Sequence, residues 1–180
     1  MPQRPIEERD ALAPRAKRPD ASLRERVSFR AGGDRDVPAA VALINEAYLR
    51  EAWLLPPPRT SIDDLREELL EPGASLLLVE IDGALAGCSR VIQRQDHTYF
   101  GLLAVLPAHQ GRGLASLIVE RIEESAGASG SKAVRLDCAK QNNLVPLYES
   151  MGYMVELEEP SGYYGTTGPI TVAHMKKDLS

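Results

Sequence analysis

Two glycines in one short turn carry the clearest chemistry in this chain. Gly111 and Gly113 stand between an apolar stretch, residues 99–106, and a run with helical spacing that begins at Leu114. Glycine lets a backbone turn at positive φ and approach a ligand closely. The N–H groups of a helix's first turn have no internal partner, and with the helix dipole they make a seat for a phosphate. The chemistry implied is binding of a phosphorylated ligand. Two familiar loops do not fit. No Lys-Ser or Lys-Thr follows these glycines, as a mononucleotide loop requires. Ser116 stands where the third glycine of a dinucleotide fingerprint would be.

The elements that position this loop can be read from the chain. Residues 27–31 predict a first strand, and Asp36 with Pro38 opens a helix to about residue 50. Val41, Ile44 and Tyr48 share one side of that helix. Residues 53–59 form a stiff apolar connection, and Thr60 or Ser61 caps a second helix over 62–70. Strands over 75–81 and 84–93 join through Asp82 and Gly83 as a hairpin. Residues 99–106 are the central strand that delivers the glycine loop. The helix after it shows Leu114, Leu117, Ile118 and Ile122 on one face. A strand over 133–138 leads into a polar loop. Asn142 or Asn143 can cap the short helix that follows, Pro146 falls in its first turn, and Gly152 suits a left-handed stop. Strands over 153–158 and 169–176 close the sheet, joined by the polar, aromatic loop 161–168. Strands that pair locally and are then separated by helices give an α+β fold with a mixed sheet.

Together these motifs resemble the GNAT superfamily of acyl-CoA-dependent N-acetyltransferases. Gln110, Gly111, Arg112, Gly113, Leu114 and Ala115 match its phosphate loop, Q/R-x-x-G-x-G/A. Leu144, Tyr148, Glu149, Gly152 and Tyr153 fall in register with its later helix. The position usually held by Asn carries Gln141, with Asn142 beside it; the resemblance assigns the cofactor-facing amide to Asn142, and a helix-cap or turn role is the alternative. The resemblance covers residues 27–177. It implies a GNAT-like, mostly antiparallel central sheet flanked by helices, with splayed central strands and acetyl-CoA in the gap.

The resemblance also implies roles. Leu103 N–H would face the thioester carbonyl as an oxyanion donor, a contact worth about 2.7–4 kcal/mol. Ala104 and Val105 would line pantetheine, with Val105 hydrogen-bonded to it. The amides of residues 110–115 would hold the diphosphate, with Arg112 adding charge. Tyr148 would protonate the departing thiolate, since a phenol is fully protonated at neutral pH. Where relatives often place a glutamate base, this chain has Tyr99. Glu80 and His97 are the side-chain candidates for a base, and a water relay is the alternative. The activity implied is acetyl transfer to a primary amine, on a small molecule or peptide, by direct attack in a ternary complex. A non-catalytic CoA-binding sensor of the same fold is the alternative, as is a different acyl donor or an O-linked acceptor.

Composition sets outer limits. Residues 1–26 are rich in Arg, Ala, Pro and Glu and predict a flexible or loosely packed arm, leaving 27–180 as a single domain. Hydrophobic residues make up 43% and charged residues 26%, ordinary values for a compact enzyme. No apolar run is long enough for a membrane span and no apolar leader opens the chain, so a cytoplasmic protein without membrane contact is expected. Cys88 and Cys138 lack metal spacing and predict buried free thiols. His97, His109 and His174 are scattered, so no metal is expected. A net charge of −5 argues against nucleic acid. Strand segments around Glu156 and Val172 leave a homodimer sheet open. Tyr163 and Tyr164 could cover a bound amine through cation–π contact. The apolar 53–59 segment could line an acceptor pocket or simply pack over the first helices.

Overall fold

The computed structural model describes residues 14–19, 21–161 and 169–180. A seven-stranded sheet in the order β1-β2-β3-β4-β5-β7-β6 forms the frame. Its strands are β1 (Val27–Gly32), β2 (Ala74–Ile81), β3 (Ala84–Gln93), β4 (His97–Val105), β5 (Ala133–Ala139), β6 (Met154–Ser161) and β7 (Ile170–Asp178). All neighbours are antiparallel except β4 and β5. The expected α+β class and mostly antiparallel sheet are therefore observed.

Helices cover both faces. On one side, α1 (Ala21–Arg26), α4 (Leu114–Ala128) and α5 (Val145–Glu149) contribute to a core containing Leu23, Leu114, Ile118, Ile122 and Tyr148. On the other, α2 (Val37–Tyr48) and α3 (Ile62–Leu69) bury Val37, Ile44 and Leu65 against Leu76, Leu78 and Cys88. Burying an aliphatic side chain of this kind contributes about 1.5–3 kcal/mol. Leu23 is fully buried, so the core draws on residues before Val27. Of the stretch read as an arm, residues 1–13 and 20 lie outside the described residues, as does the 162–168 loop with Tyr163 and Tyr164.

Local chemistry accounts for the turns. Asp82 and Gly83 both have positive φ, 51° and 81°, as a two-residue hairpin with right-handed twist requires. Ser61 Oγ accepts from Asp64 N–H at 3.1 Å and caps α3. Asp36 stands at the N-cap of α2 but makes no side-chain cap there. Its carboxylate instead takes Gly33 N–H at 2.8 Å and the Arg30 guanidinium, which holds its pKa down at about 2.

The joint between β4 and β5 is the feature that makes room for a site. Only His97, Thr98 and Tyr99 pair with β5, opposite Ala133, Val134 and Arg135. Beyond Tyr99 the strands part. Their closed end is pinned by a polar cluster: Thr98 Oγ1 lies 2.8 Å from Ser131 Oγ and donates to Gln93 Oε1 at 2.9 Å. A bulge opposite Ser89, with Leu102 at φ 49°, interrupts β4 past the parting. It reverses the alternation: Phe100 packs in the α4 core, while Leu102, two residues on, packs in the α2 core. Leu103 and Val105 are thereby turned back to the α4 side.

Candidate functional site

The parted strands open a cavity of about 1090 Å³, at the upper end of the range for ligand pockets. Leu103, Ala104 and Val105 of β4 line it together with Gln110, Gly111, Gly113, Leu114 and Ala115 of the glycine loop and the helix start. Asn142 and Tyr148 line it as well. Ten of the sequence-predicted site residues thus line one cavity. Arg112 is exposed and outside that lining, because the turn between its flanking glycines aims it away.

The glycine loop has the conformation its residues require. Gly111 and Gly113 have φ of 73° and 88°, in the left-handed region that a side chain disfavours. Gly113 is the N-cap of the fifteen-residue α4 and offers no side chain of its own. The first-turn N–H groups of α4 therefore have no acceptor inside the helix. Gln110 fastens the loop to the strand: its Nε2 donates to Val105 O at 2.9 Å, and its Oε1 accepts from Arg50. Leu106 N–H bonds Ala86 O on β3, so the preceding Val105 turns its polar groups into the gap. Its carbonyl is engaged by Gln110, which leaves its N–H as the group available to a ligand.

A smaller cavity of about 100 Å³ adjoins the first. The two share Tyr48, Glu51, Leu103, Asn142, Leu144 and Tyr148. Tyr148 is buried, and its ring meets Phe100 and Tyr153 at centroid distances of 6.2 and 6.0 Å. Burial pushes its phenol pKa well above the ordinary value, so its O–H is a donor at any neutral pH. Tyr48 donates to Leu103 O at 3.3 Å, and the Arg59 guanidinium lies 5.3 Å from the Tyr48 ring centroid.

Glu51 was not among the sequence candidates. It ends a 3-10 turn, Leu49–Glu51, that carries α2 one turn further. Burial raises its carboxyl pKa, opposed by a hydrogen bond from Asn142 and the charge of Arg59. A signal was present: Glu51 continues the Val41, Ile44, Tyr48 stripe by one more helical step, a carboxylate on an apolar face. Asp137 also lines the smaller cavity. It accepts from Tyr99 Oη at 3.2 Å and lies 2.6 Å from His174 Nδ1, whose Nε2 lies 2.9 Å from Glu159.

Glu80 and His97 are not brought to this junction. Glu80 lies on β2, and its carboxylate is 2.7 Å from Arg30 Nε. His97 opens β4 at the pinned end, 2.7 Å from Asp96 Oδ1. Gln141 Oε1 accepts Thr171 N–H at 3.2 Å, so it is turned to β7, whereas Asn142 faces the cavity. Asn142 Oδ1 caps Leu144 N–H at 3.2 Å. Trp53 lines the large cavity while 58% exposed. Cys88 and Cys138 are buried free thiols, their pKa pushed up to about 12 by burial. Among the described residues no group of three or more His, Cys, Asp or Glu could hold a metal, and no helix is long and apolar enough to cross a membrane.

Comparison with known proteins agrees with this geometry. The profile of the acetyltransferase (GNAT) family matches residues 39–153. Among curated proteins no sequence matches significantly. Solved structures do. The ribosomal-protein-S18-alanine N-acetyltransferase of Escherichia coli is 19% identical, with a TM-score of 0.73 over 86% of this chain and 94% of its own. The spermidine N-acetyltransferase of Vibrio cholerae, in complex with CoA and spermine, is 21% identical, with a TM-score of 0.68 over 84% of this chain and 95% of its own. A GNAT-family acetyltransferase of Streptococcus pneumoniae is 22% identical, with a TM-score of 0.66 over 86% and 99%. At these identities the likeness is one of fold.

Proposed function

The chain belongs to the acetyltransferase (GNAT) family, and on that premise we propose that it moves an acetyl group from acetyl-CoA to a primary amine within a ternary complex. The observation that carries this reading is the pair of cavities meeting at one junction. The larger has a phosphate loop at one end and room for a long ligand. The smaller adjoins it at Tyr48, Glu51, Leu103 and Tyr148. Two substrates entering from opposite sides would meet there. Bound acetyl-CoA would supply a thioester that an amine can attack directly.

The residues divide the work. The first-turn amides of α4, with those of Gln110, Gly111 and Gly113, hold the diphosphate. Val105 N–H binds the pantetheine chain in the gap. Leu103 N–H stabilises charge developing on the reacting oxygen, a contribution of about 2.7–4 kcal/mol. Glu51 takes the proton from the attacking amine. Its raised pKa brings it nearer to neutrality, as a general base needs. Asn142 lines the same junction and moderates that rise. Tyr148, kept protonated by burial, donates its O–H to the leaving sulfur. The acceptor is a cationic amine, on a small molecule or a peptide, because Glu51 and Asp137 both face the smaller cavity. In a dimer a second copy would pair along β6, which ends the sheet with Met154 and Leu157 exposed.

The test couples calorimetric titration of acetyl-CoA with thiol release against a panel of amines. Binding followed by release on a cationic amine is expected. Failure to bind acetyl-CoA would sink the reading, and binding with no release on any amine would mark a CoA-binding domain instead.

A further inference from the structure

The segment before α1 runs over the phosphate loop. Ala16 N–H donates to Ser150 Oγ at 2.8 Å, anchoring the segment on the turn after α5. Three residues on, it presses against the start of α4. A Cβ at Gly113 would lie 2.7 Å from Pro19 N and 2.9 Å from Lys17 O. Gly113 is thus the floor on which this backbone rests. Between these anchors, Lys17 extends over the loop, its Nζ 3.9 Å from the position a Cβ would take on Gly111. Lys17 is exposed and forms no ion pair with a described residue, and the same holds for Arg15 and Arg18. Residues 14–17 also line the large cavity, on the side facing the loop.

We propose that residues 14–19 form a cationic strap that sets the Lys17 ammonium against the diphosphate of the bound coenzyme. This rests on the reading of the cavity as a coenzyme A site. The strap gives the loop what its own sequence lacks. Arg112 points away from the cavity, and α4 opens with uncharged residues, so backbone dipoles there act without a cation from the loop itself. Lys17 adds an exposed point charge, with three donors, above those dipoles. Among the described residues it has no counter-ion that a ligand would have to displace.

Binding of CoA and of dephospho-CoA, measured by calorimetry on the full chain, tests this. Lys17→Ala is expected to weaken both ligands about tenfold, the loss of one charge-assisted contact. Lys17→Arg should restore most of the affinity, and Lys17→Glu should weaken it further. The gap between wild type and Lys17→Ala should shrink as salt is raised. Unchanged affinity in Lys17→Ala would overturn the proposal. Weakening confined to CoA would assign Lys17 to the 3′-phosphate and overturn the diphosphate contact. Tighter binding would show that the segment competes with the ligand. If wild-type protein binds neither ligand, the coenzyme reading itself fails; if it binds both and Lys17 is neutral, only the strap fails.

Discussion

Asn142, in the turn after β5, and Glu51, in the turn after α2, line the same two cavities, and the Asn142 side chain moderates the rise that burial imposes on the Glu51 carboxyl pKa. The two residues belong to elements far apart in the chain and meet where the two cavities adjoin. Half-buried, the Glu51 carboxyl is costlier to ionise than one in open solvent, and Asn142 offsets part of that cost.

Glu51→Gln is expected to lower kcat at neutral pH by about a hundredfold or more, the usual contribution of a positioned general base. It should also flatten the acidic limb of the rate profile. Stability should move the opposite way. Glu51 has a folded pKa above its unfolded value, so its contribution is fully present below the unfolded pKa and is lost as pH rises through the folded one. At neutral pH the ionised group destabilises, and the glutamine variant should melt higher. Equal loss of rate and stability would remove Glu51 from the base role.

Tyr148→Phe keeps the ring against Phe100 and Tyr153 and removes one O–H. Turnover should fall by roughly ten- to a hundredfold while the acetyl-CoA dissociation constant stays within about twofold. Steady-state rates beside calorimetry decide it. A change confined to affinity would make Tyr148 a wall of the cavity and nothing more.

Gly113→Ala and Gly111→Ala should differ. Both force a side chain into the left-handed region, at a cost of about 1 kcal/mol. At Gly111 nothing lies closer than Lys17 Nζ at 3.9 Å, whereas at Gly113 backbone atoms of Pro19 and Lys17 lie within 2.9 Å. Thermal denaturation should therefore rank Gly113→Ala clearly below Gly111→Ala. Equal melting points would mean that residues 17–19 do not rest on the helix.

His174 sits between Asp137 and Glu159, and their hydrogen bonds raise its pKa against the opposing effect of desolvation. A raised folded pKa stabilises below the unfolded value near 6.5 and loses that contribution as pH rises through the folded value. Denaturant titrations from about pH 5 to pH 9 should show stability declining across that window. His174→Asn should remove this part of the slope; an unaltered slope would place the effect elsewhere.

Much of this architecture is legible in the residues because its causes are local. Asp82 with Gly83 announces a hairpin, Ser61 with Asp64 a helix start, and Gly111 with Gly113 a loop that only glycines tolerate. What escaped is what depends on distant partners. Glu51 becomes chemical only when Asn142 and Tyr148 close around it, 91 and 97 positions later in the chain. Glu80 has the right chemistry for a base, but Arg30 on the neighbouring strand occupies it. His97 lies on the right strand at its wrong end, because β4 and β5 are joined there and part only beyond Tyr99. Leu23 sits in a polar stretch, and only α4 across from it makes it core.

The extra residue at Leu102 ties packing to catalysis by simple counting. Were β4 to run straight through this point at its full length, every later position would face the other way: Leu103 and Val105 would swap outlook with Leu102 and Ala104. The reactive edge would then be handed to the hydrophobic interior, and a leucine meant for the interior would face the substrates. The bulge and its extra residue therefore go together: deleting Leu102 alone would leave a regular strand with Leu103 and Val105 still on the α4 side, and coenzyme binding retained in a folded variant is the expected outcome.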